Sequence, residues 1–99
     1  MRIAWSPRAI GEAQEIADYI AAERPGAATM WLRGLGPAVS RLASFPRSGR
    51  VLEASREDTP EQREVLYGTY RIIYRILPDR IEILAVVHTR RDQEEEDAP

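Results

Sequence analysis

Apolar residues recur every three to four positions through the first half of this chain and every second position through its last third. That change of period divides a helical half from a stranded one. Arg2-Ile3-Ala4-Trp5 alternates polar and apolar residues and predicts a short strand. Ser6-Pro7 then supplies a helix start, with serine as the cap and proline at the first helical position. The stripe Ala9/Ile10, Ala13, Ile16/Ala17 and Ile20/Ala21 gives that helix one buried side, and Glu12, Glu15 and Asp18 lie off it. Pro25-Gly26 makes a short connection, so the second helix returns antiparallel over residues 27–44. Its buried stripe is Ala28, Trp31, Leu32, Leu35, Val39, Leu42 and Phe45. Gly34-Leu35-Gly36-Pro37 interrupts it. An interior proline removes a hydrogen bond and clashes with the preceding turn at ~3 kcal/mol, so a kink or two shorter helices are expected there. Residues 45–50 are a breaker cluster, and residues 54–62 read as a polar loop.

In the last third, residues 63–67, 70–77 and 80–88 read as three strands joined by two-residue turns, Gly68-Thr69 and Pro78-Asp79. Short turns imply an antiparallel meander. The first hairpin sets Val65 opposite Ile72 and Leu66 opposite Arg71. The second, with its two-residue turn, sets Arg75 opposite Glu82, Ile73 opposite Leu84 and Arg71 opposite Val86. The Arg75–Glu82 cross-strand charge pair supports that register. One sheet face is then Val65, Tyr67, Tyr70, Ile72, Tyr74, Ile76, Ile81, Ile83, Ala85 and Val87, and it should receive the helices. The other carries Glu64, Leu66, Arg71, Ile73, Arg75, Leu77, Glu82, Leu84, Val86 and His88. Apolar residues between charges on that face call for another molecule as cover. The fold class is α+β, with an N-terminal strand and a two-helix hairpin packed on a C-terminal antiparallel sheet.

Length and composition fit this picture. Ninety-nine residues, 43% of them hydrophobic, make one folded domain. There is no cysteine, which excludes disulfides, thiolate zinc sites and cysteine nucleophiles. No apolar run approaches the ~20 residues of a membrane helix. The first residues lack the apolar stretch of a secretory signal, so a cytoplasmic location without membrane contact is expected. The net charge of −2 conceals an asymmetry: residues 92–99 hold five of the sixteen acids and no base. The domain is expected to span residues 1–91, with fourteen arginines against eleven acids, and residues 92–99 to form an acidic disordered tail. Every basic residue is arginine, whose planar fork suits phosphate and carboxylate recognition.

Few residues could carry chemistry. His88 is the only histidine, and Thr89-Arg90-Arg91 follows it. A lone histidine more often has a structural role, but this register places His88 on the face of Arg71, beside two further arginines. Arg71 reads either as half of a local ion pair, with Glu64, or as an anion clamp. Arg63 falls on the helix-facing side at the start of its strand. Tyr67, Tyr70 and Tyr74 have strand spacing and read as core. No metal-ligand spacing, glycine-rich phosphate loop or nucleophile elbow is present, so neither a metal nor another cofactor is expected.

The pattern resembles a known family. Trp5-Ser6-Pro7, the helical hairpin, Leu42 with Phe45-Pro46 and Gly49-Arg50, Arg63-Glu64-Val65, Gly68-Thr69-Tyr70-Arg71-Ile72-Ile73-Tyr74-Arg75, and Ile83-Leu84 followed by His88, Arg90, Arg91 and Asp92 are similar in order and spacing to the RelE/ParE superfamily of toxins. These are the toxic halves of bacterial type II toxin–antitoxin pairs, often called plasmid stabilisation proteins. The resemblance covers residues 2 to 92, and the Gly34/Gly36/Pro37 interruption departs from the family's usual second helix. It implies one of two activities. ParE-like members poison DNA gyrase; RelE-like members are ribosome-dependent mRNA endonucleases that place basic side chains, and in some a Glu, His or terminal Tyr, on the concave sheet face. Arg71 matches the central-strand arginine of the nucleases, and residues 88–91 match their C-terminal segment. The lysines of RelE have no counterpart here. If this chain were a nuclease, Arg71 and His88 would be its catalytic pair. Arginine is a poor general base, so the ParE-like branch is favoured, a growth-arresting toxin that is not itself an enzyme. The implied partners are a cognate antitoxin protein and DNA gyrase, the alternative being the ribosome and mRNA. Arg71, Arg75, His88, Arg90 and Arg91 are the residues expected to meet target or antitoxin.

Overall fold

The computed structural model describes residues 1–89. Strand β1 (Arg2–Trp5) leads into helix α1 (Pro7–Glu23), and Arg24 alone joins it to α2 (Pro25–Ser44). Then follow β2 (Arg50–Glu53), β3 (Glu61–Tyr67), β4 (Tyr70–Ile76) and β5 (Arg80–His88). The strands form a single sheet in the order β1-β5-β4-β3-β2. β1 lies parallel to β5, and the other pairs are antiparallel. The expected α+β architecture holds, with the expected N-terminal strand as a parallel outer strand at one edge of the sheet and one addition at the other, β2, in a stretch that carried no strand signal.

Local chemistry accounts for the helix starts. The Ser6 side chain accepts a hydrogen bond from the Ala9 amide at 3.0 Å, and Pro7 opens α1. Pro25 opens α2, two residues earlier than the sequence pattern placed it. Ala9, Ala13 and Ala17 of α1 and Ala28, Leu35, Val39 and Leu42 of α2 are buried. Leu35, Val39 and Leu42 cluster with Ala9 and Ala13 over Ile72, Tyr74, Ile81 and Ile83 of the sheet. Three expected core residues stay outside: Ile10, Leu32 and Phe45 are exposed. Ala9, Ala13 and Ala17 recur every four residues and carry the buried side of α1, and Ile10, one position beyond Ala9 in the helical turn, points to solvent.

The expected break in α2 is absent: the helix runs unbroken through Gly34, Gly36 and Pro37. Gly36 and Pro37 face solvent, where water can satisfy the carbonyl that Pro37 leaves without an amide. Gly34 faces the sheet, and a side chain there would collide with the Tyr67 hydroxyl. That hydroxyl donates to the Trp31 carbonyl at 2.8 Å, which ties β3 to α2.

The segment after α2 is pinned by Tyr74 and Arg63. The buried Tyr74 hydroxyl donates to the Pro46 carbonyl at 2.7 Å and accepts from the Gly49 amide at 3.1 Å. Arg63, on the helix-facing side as expected, donates to the Arg47 carbonyl at 2.9 Å and the Gly49 carbonyl at 2.7 Å. Burial pushes the Tyr74 phenol above its ordinary value of 10.0. The unfolded chain therefore ionises this group first. Its contribution is intact below pH ~10 and is lost as pH rises through the higher folded value. Alkaline melts should show falling stability above pH ~10, and Tyr74→Phe should shallow that decline. An unchanged slope would contradict this assignment.

Candidate functional site

Both helices lie on one side of the sheet, leaving its other face open among the described residues. The first hairpin keeps the expected register, with Val65 opposite Ile72, Leu66 opposite Arg71 and Gly68 at a φ of 60° in the turn. Near its turn the second hairpin does too: Arg75 pairs with Glu82, and its Nε donates to Oε1 at 2.8 Å.

Farther along β5 the expected register, which assumed a strand without a bulge, fails. A bulge lies between the pairs Tyr74–Ile83 and Ile73–Ala85, so Leu84 is an extra residue. Ile73 therefore stands opposite Ala85 rather than Leu84, and Arg71 opposite Val87 rather than Val86. Every later β5 residue changes sides. Val86 pairs with Ile72 and is 1% exposed beneath the helices. His88 pairs with Tyr70, and the two rings meet edge-on with centroids 5.2 Å apart. Tyr70 in turn packs edge-on against Trp31 at 5.3 Å, and Trp31 meets Tyr67 in a tilted arrangement at 5.9 Å. Burial, with Tyr19 nearby, raises the Tyr70 phenol above its ordinary value. The expectation that His88 shares a face with Arg71 is thus corrected: the histidine belongs to an aromatic cluster on the helix side.

The open face centres on Glu64. Its carboxylate receives Arg71 Nε at Oε2 and Arg50 Nε at Oε1, the latter at 3.0 Å. Glu64 is 6% exposed, the one buried charged residue among those described. Arg71 therefore takes up the local ion pair with Glu64. Arg50 joins because β2 pairs Arg50 with Glu64, and that strand was not legible from the sequence. Around this trio stand Leu66, 69% exposed, and the half-buried Ile73, Leu84 and Val87. The face thus presents a cationic centre, its arginines partly neutralised by Glu64 and Glu82, within an apolar surround. Such a surface suits a partner offering both carboxylates and aliphatic side chains. Arg75 lies on this face, whereas Arg90, Arg91 and the acidic segment 92–99 lie outside the described residues.

Among the described residues, no helix is long and apolar enough to cross a membrane. Comparison with known proteins agrees with the geometry. A family described as "ParE toxin of type II toxin-antitoxin system, parDE" matches residues 3–93. The Sinorhizobium fredii protein named "Putative toxin Y4kP" is 38% identical over 96 residues, covering 91% of this chain and 90% of its own. A chain from the solved structure "Chromosomal ParDE TA system from P. aeruginosa" shares the fold, with a TM-score of 0.72 at 19% identity over 89% of this chain and 95% of that one.

Proposed function

This chain belongs to the ParE toxin family of type II toxin–antitoxin systems, and from that premise we propose that it arrests growth by inhibiting DNA gyrase and is neutralised by a cognate antitoxin protein. The observation that supports a non-enzymatic poison over an RNA-cleaving toxin is the separation of Arg71 from His88. In-line cleavage of RNA needs a phosphate clamp and a proton carrier at one phosphate. Here Arg71 lies on the open face and His88 on the helix-facing one, with the sheet between them. The chain has no lysine that could replace either.

The antitoxin contact follows from the open face. An antitoxin segment, extended or helical, is expected to cover this face and the outer sides of the helical hairpin, ordering as it binds. Its aliphatic side chains would cover Leu66 and Ile73, and its carboxylates would reach Arg71, Arg75 or Arg90. Binding should weaken steeply with salt. A complex that left the sheet and both helices exposed would contradict this reading.

Expression without antitoxin tests the activity. His88→Ala should leave growth arrest and SOS induction nearly intact, with transcripts uncleaved, whereas replacing Arg90 and Arg91 by alanine should weaken gyrase binding. Arrest with cleaved transcripts that His88→Ala lowers ~100-fold, a typical acid–base contribution, would overturn the proposal.

A further inference from the structure

The bulge at Leu84 decides what the open face displays, yet the apolar pattern of β5 does not specify it. Residues 84–87 read Leu-Ala-Val-Val, apolar at both parities. In the observed register Val86 lies under α1 opposite Ile72, and His88 lies opposite Tyr70. Without the bulge, Ala85 would face Ile72 and Val87 would face Tyr70, while Val86 and His88 would reach the open face. The first site then exchanges valine for alanine, which favours the bulge. The second exchanges histidine for valine against the Tyr70 ring, which favours the flat strand. The two registers bury similar apolar volume, and a strand of this kind is weakly specified by packing alone.

Polar contacts from Ser6 and from α1 must therefore break the tie. Two reach β5 beyond its last pairing with β1. The Val86 amide donates to Glu12 Oε1 at 3.0 Å. This contact does not discriminate, because either register turns outward the amide of whichever residue stands opposite Ile72. The other contact does. Ser6 Oγ donates to the Leu84 carbonyl at 3.2 Å, while the Ser6 amide donates to the Ile83 carbonyl at 3.0 Å. In a flat strand Leu84 would be a hydrogen-bonded partner of Ile73, and its carbonyl would point into the sheet toward β4. Only the bulge turns consecutive carbonyls, those of Ile83 and Leu84, toward Ser6.

We propose that Ser6 is a positioning residue for the open face: by holding the Leu84 carbonyl outward, its hydroxyl fixes the β5 bulge and so places Ala85 and Val87, rather than Val86 and His88, on that face. The same hydroxyl accepts from the Ala9 amide, so one side chain caps α1 and sets the register of β5. The consequence for antitoxin or target binding rests on the open face being the recognition surface; the register itself does not.

The two roles of Ser6 can be separated by substitution. Aspartate keeps an oxygen for the Ala9 amide but cannot donate to a carbonyl when ionised. Threonine keeps both. With the full chain made by cell-free synthesis, NMR contacts to the Tyr70 ring report the register directly. Wild type and Ser6→Thr should show His88 against Tyr70. Ser6→Asp should lose that contact and gain one from Val87. Deleting Leu84 removes the surplus residue, so a flat strand then gives the native pairs of Ile73 with Ala85 and Tyr70 with His88. In that background Ser6→Asp should retain the His88 contact. A Ser6→Asp protein that keeps His88 on Tyr70 in the undeleted chain overturns the proposal. So does a Leu84-deleted Ser6→Asp protein that fails to fold or still moves Val87 onto Tyr70. Antitoxin binding measured on the same proteins tests the recognition surface separately: altered register with unaltered binding leaves the role of Ser6 standing and rejects that surface.

Discussion

Replacing Gly49 by alanine is expected to lower the melting temperature by more than ~10 °C, a large effect for one added methyl group. A β-carbon at this position would sit 2.5 Å from the Glu64 carbonyl oxygen and 2.6 Å from the Tyr74 hydroxyl. The first neighbour is backbone in the middle of β3 and cannot rotate away. The second is held by the Pro46 carbonyl at 2.7 Å. Moving Gly49 instead would break its own bonds, the amide to Tyr74 and the carbonyl to Arg63. Overpacking of this kind costs about 1–3 kcal/mol, and each buried hydrogen bond lost adds ~1 kcal/mol. For a domain this small, a loss of ~3 kcal/mol corresponds to roughly 12–24 °C. Gly11→Ala serves as the control, because nothing lies within 4 Å of a β-carbon there and the site is on the exposed side of α1. Removing a helix-interior glycine should stabilise by up to ~1 kcal/mol. Calorimetry of the two variants should therefore move in opposite directions. A Gly49→Ala protein melting near wild type would show that the 45–49 turn is looser than these contacts imply.

The contrast between those two glycines shows what a sequence reveals and what it withholds. Signals carried by neighbouring residues were legible. Ser6-Pro7 marked a helix start because capping is local, and Gly68 marked a turn because glycine adopts its positive φ without steric cost. Arg75 and Glu82 fixed the start of the second hairpin because opposite charges identify cross-strand partners. What failed depended on contacts across the fold. Gly34 and Pro37 look like helix breakers in isolation. In the structure one glycine makes room for Tyr67, and the proline faces water. β2 is four residues long beside a breaker cluster, too short to show a period. The bulge was hidden by the run Leu84-Ala85-Val86-Val87, in which either parity satisfies a buried face. That one extra residue separated His88 from Arg71, the two residues a ribonuclease reading had paired. Arg71 and Arg75 were placed correctly on the open face, but the burial of Glu64 and the recruitment of Arg50 needed the missed strand.

Removing the Glu64 carboxylate should destabilise the fold most among the charged residues of the open face. Its side chain is 7% exposed and that of Arg71 is 12%, so the pair is desolvated. Breaking such a pair from one side leaves an uncompensated charge and typically costs about 3–5 kcal/mol. Glu64→Ala is therefore expected to remove a large part of a domain stability of about 5–15 kcal/mol. Arg50→Ala should cost less than ~1 kcal/mol, because Arg50 is mostly solvated and an exposed pair contributes little. The pair as a whole need not be stabilising: replacing both Glu64 and Arg71 by leucine should recover most of the loss, since well-packed apolar residues often match a buried ion pair. The test is a double-mutant cycle by chemical denaturation on Glu64→Leu, Arg71→Leu and the double variant. Strong non-additivity, with the double variant more stable than either single one, is expected. Additive losses would show that Glu64 and Arg71 stabilise the fold independently. The double variant also bears on recognition. It keeps the apolar surround and the net charge of the open face, since one acid and one base leave together, so a loss of antitoxin binding in this folded variant would report the Arg71 guanidinium itself rather than the charge of the face.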